Sequence, residues 1–289
     1  ILQSGRDMID AADLAPTAQF VDPLFAKTRL VDWLKTKFGV ELDVAAIADA
    51  QPDDIEAVIR DRVRTEYEQR ECRYPVQEII ARASQAGPIE NAYVAEIILR
   101  WPTFKYRVDW SIDQIQRRPP ADLQAELIEL NRACLQGDRL TGEIDRALAT
   151  HDGDDLVAWA RDRFGRLVNV DALGNGDPRA ELLRAGRELM RFELTRLEQY
   201  VMLRTFDAMW KDHMYEMDLL KNSIGLRGYA ERDPRIEYKR EGSRMFREMM
   251  ARTRARVTDD IFKVQFVADT ASQRTAVPAG QAVHASATG

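Results

Sequence analysis

Apolar residues recur every three or four positions along most of this 289-residue chain, and this spacing is the feature that most constrains its fold. It places side chains on one face of an α-helix, whereas a half-buried strand requires strict alternation. Glycine and proline are scarce within the periodic stretches and cluster between them. The sequence therefore predicts an all-α protein, and its 45% hydrophobic residues can form a sizeable core.

This periodicity predicts helices over residues 24–38, 52–71, 89–101, 122–135, 154–164, 178–223 and 234–266. Three of them follow an Asp-Pro pair that begins at Asp22, Asp177 or Asp233. In each pair the carboxylate can cap the first turn, and proline suits the first helical position. After Phe266 the composition changes to Ala, Thr, Ser, Gly and Pro, which is typical of a disordered tail.

Two segments resemble each other at a constant offset of 126 residues. The matched positions are Trp33 and Trp159, Phe38 and Phe164, Gly39 and Gly165, and Pro52 and Pro178. Each segment predicts a short helix stopped by glycine, an extended connector, and a long helix opened by proline. Either one subdomain is duplicated or two ordinary helical hairpins are similar by chance, and two copies are too few for a solenoid.

A coiled-coil seam is predicted where apolar positions alternate in steps of three and four. These positions are Leu203, Phe206, Trp210, His213, Met217, Leu220 and Ile224. The next helix offers a matching stripe at Phe246, Met250, Val257, Ile261 and Val264. Because the connection between the two helices is short, we expect an antiparallel hairpin with both stripes buried in its seam.

The turn of this hairpin has an unusual composition. Gly225 and Gly228 permit a sharp reversal of the chain. Ile224, Leu226 and Tyr229 make the turn apolar, although structural turns usually carry small polar residues. The apolar side chains either form a contact surface or fold back onto a neighbouring helix.

The hairpin carries a series of motifs at residues 201–213 (VMLRTFDAMWKDH), 225–230 (GLRGYA), 233–234 (DP) and 237–241 (EYKRE), continuing to residues 263–265. In their order and spacing these motifs resemble the two-helix finger and helical scaffold of the SecA family of protein-translocation ATPases. The resemblance implies long scaffold helices, an antiparallel two-helix finger and a helical wing, and the stretches that depart from it indicate an insertion or a lineage-specific enlargement of the wing. The expected function is that of the C-terminal, substrate-handling part of a motor that pushes preproteins into the SecY channel.

The resemblance also implies roles for particular residues. By motif position, the tip that contacts the moving polypeptide comprises Ile224, Leu226, Arg227, Gly228, Tyr229 and Ala230, with Tyr229 as the aromatic contact. Residues implied to pack the finger or to restrain the motor are Leu203, Phe206, Trp210, His213 and Met217. The implied partners are unfolded preprotein, the SecY channel, the N-terminal motor domains of the same protein, and anionic lipid.

The predicted domain organisation follows the repeat and the resemblance. Residues 1–29 are an N-terminal segment, residues 30–150 a first wing-like copy plus an insertion, and residues 151–198 a second copy. Residues 199–268 are the scaffold with the finger, and residues 269–289 are the tail. The stretch 74–150 does not match the family pattern, and the tail has no cysteine, so tail-mediated zinc, SecB or lipid binding is not expected.

Nucleotide and metal chemistry is not predicted for this chain. It contains neither a Gly-x-x-x-x-Gly-Lys-Ser/Thr stretch nor an Asp-Glu-Ala-Asp box, so ATP and Mg²⁺ are expected only in the parent protein. Cys72 and Cys134 have no Cys or His at ligand spacing. Helix capping explains the acidic run 151–155 better than a metal site does, and His213 has no nucleophile beside it.

The net charge and its distribution along the chain limit the classes of binding partner that we expect. A net charge of −6 argues against nucleic acid, although the second finger helix is locally basic. Its arginines either pair with carboxylates along a solvated face or meet acidic groups of the channel, anionic lipid head groups or RNA. The chain starts at Ile1 without a signal pattern or a long apolar run, so we expect a cytosolic piece of a longer protein that binds peripherally at the inner face of the plasma membrane. The alternative is a free-standing helical adaptor without a motor.

Overall fold

A computed structural model describes residues 22–227 and 233–264. Every regular element in these residues is helical, which confirms the all-α prediction. The helices are α1 (Phe25–Phe38), α2 (Pro52–Ser84), α3 (Ala92–Tyr106), α4 (Ile112–Arg117), α5 (Pro120–Leu135), α6 (Arg139–Thr150), α7 (Gly153–Phe164), α8 (Val170–Asn175), α9 (Pro178–Arg227) and α10 (Pro234–Lys263). Two 3-10 turns span Val44–Ile47 and Gly165–Leu167.

The predicted Asp-Pro starts are confirmed for α9 and α10, whereas α1 begins at Phe25 with Leu24 as its N-cap and without a side-chain capping bond. The carboxylate of Asp22 accepts from the Leu24 amide at 2.8 Å, and that of Asp177 accepts from the Arg179 amide at 2.9 Å. Asp233 accepts from the Arg235 amide at 2.8 Å. At α9 and α10 the carboxylate therefore satisfies an amide of the first turn that has no partner within the helix.

Helix α2 is longer than predicted, because it continues past residue 71 to Ser84 with Pro75 inside it. A proline within a helix removes one hydrogen bond and crowds the preceding turn. Cys72, Tyr74 and Val76 surround Pro75 and are all buried. Tertiary packing of these neighbours offsets the local cost, which the sequence pattern alone does not reveal.

The described residues divide into two compact units. The large unit comprises residues 22–76 and 127–264, and the small unit comprises residues 77–126. Helices α2 and α5 each run from one unit into the other. The small unit has its own core, formed by buried side chains that include Ile79, Val94, Ile98, Ile115 and Leu123.

The two similar segments share an edge-to-face aromatic pair that is followed by a glycine of positive φ. The rings of Trp33 and Phe38 meet edge to face at 5.5 Å, and those of Trp159 and Phe164 do so at 5.7 Å. Gly39 and Gly165 follow these rings with positive φ angles of 69° and 60°. We therefore treat residues 30–71 as the first repeat and residues 156–197 as the second repeat.

The connectors of the two repeats are also alike. The Asp43 carboxylate accepts from the Ala45 amide at 3.0 Å, and the Asn169 side chain accepts from the Asp171 amide at 3.1 Å. Asp43 opens the first 3-10 turn, whereas Asn169 opens α8. Equivalent residues thus end one helix, cap the next short one, and lead into a long helix.

Helix α6 packs against the long helix of the second repeat at a glycine. A Cβ atom added to Gly186 would lie 2.8 Å from a methyl group of Leu140, which is buried. The absence of a side chain at Gly186 therefore allows α6 to approach α9 closely. The equivalent residue in the first repeat is Arg60, whose side chain is exposed.

Candidate functional site: the long helical hairpin

Helices α9 and α10 pack against each other as an antiparallel hairpin within the large unit. Helix α9 has 50 residues without a break and is therefore about 75 Å long at 1.5 Å per residue. It begins in the second repeat and ends beside the start of α10. The hairpin thus joins the repeat region to the predicted tip through a single stiff element.

The first half of the predicted seam faces away from α10. Leu203, Phe206 and Trp210 have exposed fractions of 66%, 37% and 41%, so the prediction that they are buried is wrong. Val201 and Thr205 are buried on this part of α9 instead. The periodic pattern identified the helix correctly but assigned the wrong face.

The second half of the seam agrees better with the prediction. His213 and Leu220 are buried, and Met217 and Ile224 are half-buried. On α10 the buried residues are Gly242, Met249 and Thr253, whereas the predicted residues Phe246, Met250, Val257, Ile261 and Val264 are exposed or half-buried. The prediction for α10 is therefore wrong in register, because the buried stripe runs through Gly242 and Met249.

The spacing of buried residues explains the error on α9. Between Val201 and His213 the inward positions advance in steps of four, through Thr205 and the half-buried Met209. Each step of four rotates the stripe by about 40° on a helix with 3.6 residues per turn. After His213 the spacing returns to the heptad, so a heptad projected backwards points to the wrong face.

An aromatic patch crosses the hairpin at this point. The Phe206 and Trp210 rings stack at 6.0 Å, and the Trp210 and His213 rings lie 5.8 Å apart. The His213 ring also meets the ring of Phe246 on α10 at 5.8 Å. Phe206, Trp210 and Phe246 are exposed while His213 is buried beneath them, so we call these four residues the aromatic patch.

His213 is packed among aromatic rings of the hairpin. Its Nδ1 atom is buried and has no hydrogen-bond partner in the part of the chain that the structure describes. Its ring contacts are aromatic, which agrees with the interpretation that it packs within the hairpin. The predicted role in restraining a motor stays a prediction for this residue and for the exposed residues beside it.

The predicted tip lies largely outside the described residues. Gly228, Tyr229 and Ala230 belong to the segment 228–232, and the side chains of Leu226 and Arg227 are not described either. Ile224 is described, and it lines an open groove at the end of the hairpin together with Lys221, Pro234, Arg235, Tyr238 and Lys239. Three cations and no carboxylate are therefore among the described residues that line this groove.

The basic face of α10 is paired in part, which agrees only in part with the simpler of the two predictions. Arg240 pairs with Glu237, and Arg244 pairs with Glu241 and Glu248, along the helix itself. Arg252 reaches Glu216 on α9 at 3.3 Å. Most of these side chains are more than half exposed, so the pairs stabilise the hairpin only slightly.

The acidic run 151–155 begins α7 as predicted, although in a different manner. Asp152 occupies the N-cap position without a side-chain capping bond, and Asp154 and Asp155 lie in the first turn near the positive end of the helix dipole. His151 Nδ1 lies 3.4 Å from the Asp155 carboxylate. Among residues 22–227 and 233–264, no group of three His, Cys, Asp or Glu side chains could hold a metal ion.

Comparison with known proteins identifies the region that carries the hairpin. A family model described as the SecA wing and scaffold domain matches residues 105–265, which is more than half of the chain. The chain belongs to this SecA family. The match includes residues 105–150, which lie in the stretch that sequence analysis placed outside the family pattern.

Relatives extend the similarity over nearly the whole chain. Protein translocase subunit SecA 1 of Rhodopirellula baltica is 25% identical over 288 residues, covering 92% of this chain and 23% of that protein. Protein translocase subunit SecA of Deinococcus radiodurans is 47% identical over 124 residues, covering 42% of this chain and 13% of that protein. The chain thus spans about a quarter of the length of the first of these SecA relatives. No solved structure matches it.

These findings describe a SecA-type translocase component. None of the described helices is both long enough and apolar enough to cross a membrane. Sequence reasoning missed Gly186, Gly242 and Thr253 as packing positions. Glycines inside periodic helices were the available signal, because a glycine costs helix stability and is kept where helices approach closely.

Proposed function

We propose that this chain is the scaffold and substrate-handling part of a SecA-type motor that moves preproteins into the SecY channel. In this proposal ATP and Mg²⁺ bind other domains of the same protein. The hairpin passes their movement to the polypeptide. The motor acts in the cytoplasm at the inner face of the plasma membrane, where anionic lipid is a further contact.

The observation that carries the proposal is the exposed aromatic patch. Phe206, Trp210 and Phe246 expose aromatic rings on the hairpin, where Phe206 stacks on Trp210 and both Trp210 and Phe246 contact His213. Clustered aromatic side chains on a surface are typical of an interface. We assign the patch to the nucleotide-binding part of the same protein, because the family relatives are several times longer than this chain.

The hairpin also has the stiffness that the proposed movement requires. Helix α9 is continuous from Pro178 to Arg227, and its partner α10 supports the half that leads to the tip. An aromatic side chain at Tyr229 would offer apolar contact to whatever segment of the substrate passes, with little dependence on its sequence. The cationic groove next to the tip, with Lys221, Arg235 and Lys239, would face acidic groups at the membrane.

The test of the patch uses the full-length protein. Trp210→Ala should release the restraint on the motor and raise the rate of ATP hydrolysis in the absence of substrate, with little loss of stability because the ring is 41% exposed. Trp33→Ala is the matched control, since Trp33 is similarly exposed outside the hairpin. Equal hydrolysis rates in the two variants would contradict the assignment of the patch.

The test of the tip is crosslinking during transport. A photoreactive phenylalanine at position 229 should crosslink to a preprotein arrested in the channel, and the same group at the exposed Tyr215 should not. The reading frame upstream of Ile1 decides between the motor and the free-standing adaptor. Nucleotide-binding motifs in that frame support the motor, and a start codon directly at this region supports the adaptor.

A further inference from the structure

The end of α10, residues 259–264, is held by the first repeat. Asp259 forms an ion pair with Lys37 at 3.0 Å, and only 35% and 22% of these side chains are exposed. One residue further along the first repeat, the edge of the Phe38 ring meets the Phe262 ring at 5.1 Å. Both contacts join α1 to the last turn of α10.

The long helix of the first repeat reaches the same turn. The Arg70 guanidinium donates hydrogen bonds to the carbonyl oxygens of Phe262, at 3.5 Å, and of Val264, at 2.5 Å. The Tyr67 ring lies 6.2 Å from the Phe262 ring. The last carbonyl groups of a helix have no partner within it and form the negative end of its dipole. A cation that donates to them therefore opposes unwinding of this end.

A network of hydrogen bonds and ion pairs holds α2 against α9, in the position from which Arg70 reaches the end of α10. The Tyr67 hydroxyl donates to the carboxylate of Glu198 on α9. Arg191 donates to the Tyr67 hydroxyl at 2.8 Å and forms an ion pair with Glu71 at 2.8 Å. Burial raises the pKa of Glu71 and of Tyr67. The first repeat is thus attached to α9 on one side and to the end of α10 on the other.

We infer that the first repeat is a clasp for the hairpin, in which Lys37, Phe38, Tyr67 and Arg70 fix the end of α10 relative to α9. The first repeat precedes the residues matched by the family model, and this inference gives it a specific role. By stopping the last turn from unwinding, the clasp sets the point and direction in which the chain continues after Val264. The inference does not depend on substrate transport and can be tested on this chain alone.

Amide hydrogen exchange tests the clasp. The variant Lys37→Met with Arg70→Met removes the ion pair and the carbonyl donors while keeping apolar volume. Exchange at the amides of residues 259–264 should become at least about tenfold faster, because hydrogen bonds to charged groups are among the stronger ones. Amides 243–250 of the same helix serve as the internal reference and should change little.

The matched control is Lys35→Met with Arg60→Met, which removes two exposed ion pairs from the same two helices, with Glu41 and Glu56. Its exchange should equal that of the unmodified chain. If the clasp variant leaves exchange at 259–264 unchanged, or accelerates all of α10 equally, the inference is wrong. If that variant does not fold, Arg70→Lys decides in the same way, because it keeps the charge but replaces the two guanidinium nitrogens that reach the two carbonyls by a single nitrogen.

Discussion

The two repeats share the aromatic pair, the glycine of positive φ and the capping residue of the connector, but they are closed by different chemistry. In the first repeat, Ile55 joins an apolar cluster with Leu34, Leu42 and Ile47. The equivalent position in the second repeat is Glu181, whose carboxylate accepts from the Asn169 amide at 2.6 Å and pairs with Arg184. The glycine, the capping residue and the proline are therefore shared, whereas the residue that closes the connector differs between the repeats.

The repeats also differ in the neighbouring helices that they contact. Lys37 and Arg163 occupy equivalent positions, and both lie near the phenylalanine ring that follows them. Lys37 pairs with Asp259 on α10, whereas Arg163 is almost fully buried and makes a two-bond contact with Glu143 on α6. The two similar segments thus contact different neighbours through the side chain at one equivalent position.

The largest expected effect tests the docking of α6. Gly186→Arg gives the second repeat the residue of the first, and the side chain must displace Leu140. We expect it to lower the free energy of unfolding by about 3 kcal/mol or more, as in severe overpacking. Urea denaturation measures the change. Arg60→Ala at the equivalent position should cost within about 0.5 kcal/mol, since its ion pair is exposed. Similar losses in both variants would mean that the close approach of α6 is unimportant.

The second test compares the two cations. Arg163→Met leaves the partly buried Glu143 carboxylate without its partner, and we expect a loss of about 2 to 3 kcal/mol. Lys37→Met breaks a more accessible pair and should cost about 1 kcal/mol or less. The free energy of unfolding of each variant in urea gives the comparison. A larger loss for Lys37→Met would reverse the ranking of the two attachments.

The third test concerns the turn glycines. Gly39 has ψ of 13°, a left-handed conformation that other residues adopt at moderate cost, whereas Gly165 has ψ of −127°. With its φ of 60°, Gly165 lies in a region that side-chain-bearing residues avoid. Gly39→Ala should therefore cost about 1 kcal/mol and Gly165→Ala about 2 kcal/mol. Thermal melts of both variants check the order, and equal melting temperatures would show that the second turn relaxes.

The smallest expected effect is a difference in acid sensitivity. The hydrogen bond from Arg184, together with that from the Asn169 amide, lowers the pKa of Glu181. A lowered pKa adds stability above the ordinary pKa of glutamate, and this stability is lost as the pH falls through the folded value. The difference in stability between the chain and Glu181→Gln, about 1 kcal/mol at neutral pH, should therefore shrink in acid.

The first repeat supplies the control for the acid experiment. Ile55→Val removes one methylene from the equivalent position and changes no titrating group. The loss in the free energy of unfolding caused by Ile55→Val should stay the same over the whole pH range. If the loss of stability changed with pH in both Glu181→Gln and Ile55→Val, the cause would be general acid unfolding and not the titration of Glu181.

Local signals were sufficient to predict much of the fold. The Asp-Pro starts and the Phe-Gly stops marked helix boundaries because each acts within one turn of chain. Helix α6 was missed because it contains Gly142 and begins without a side-chain cap. The continuation of α2 through Pro75 was missed because it depends on tertiary packing. Tertiary packing of this kind cannot be inferred from a periodic pattern in the sequence.

The candidate site shows the same limit. The sequence indicated the hairpin and its aromatic residues, but the exposed face of Trp210 could not be predicted from a heptad pattern. The change in spacing between Val201 and His213 depends on how α10 crosses α9, which is a property of the pair. The clasp joins residues separated by almost two hundred positions, as Arg70 and Val264 are, so no local pattern could indicate it.

The change of spacing along α9 has a mechanical consequence. In a uniform coiled coil, one helix can slip along the other by seven residues and find equivalent contacts again. Here the spacing differs between the two halves, and Met217 rests against Gly242, where an added Cβ would lie 3.0 Å from its methyl group. A slipped arrangement would bring Met217 against a residue with a side chain and would mismatch the steps of four. The hairpin therefore has one register, and a push applied along α9 reaches its far end without being lost to sliding.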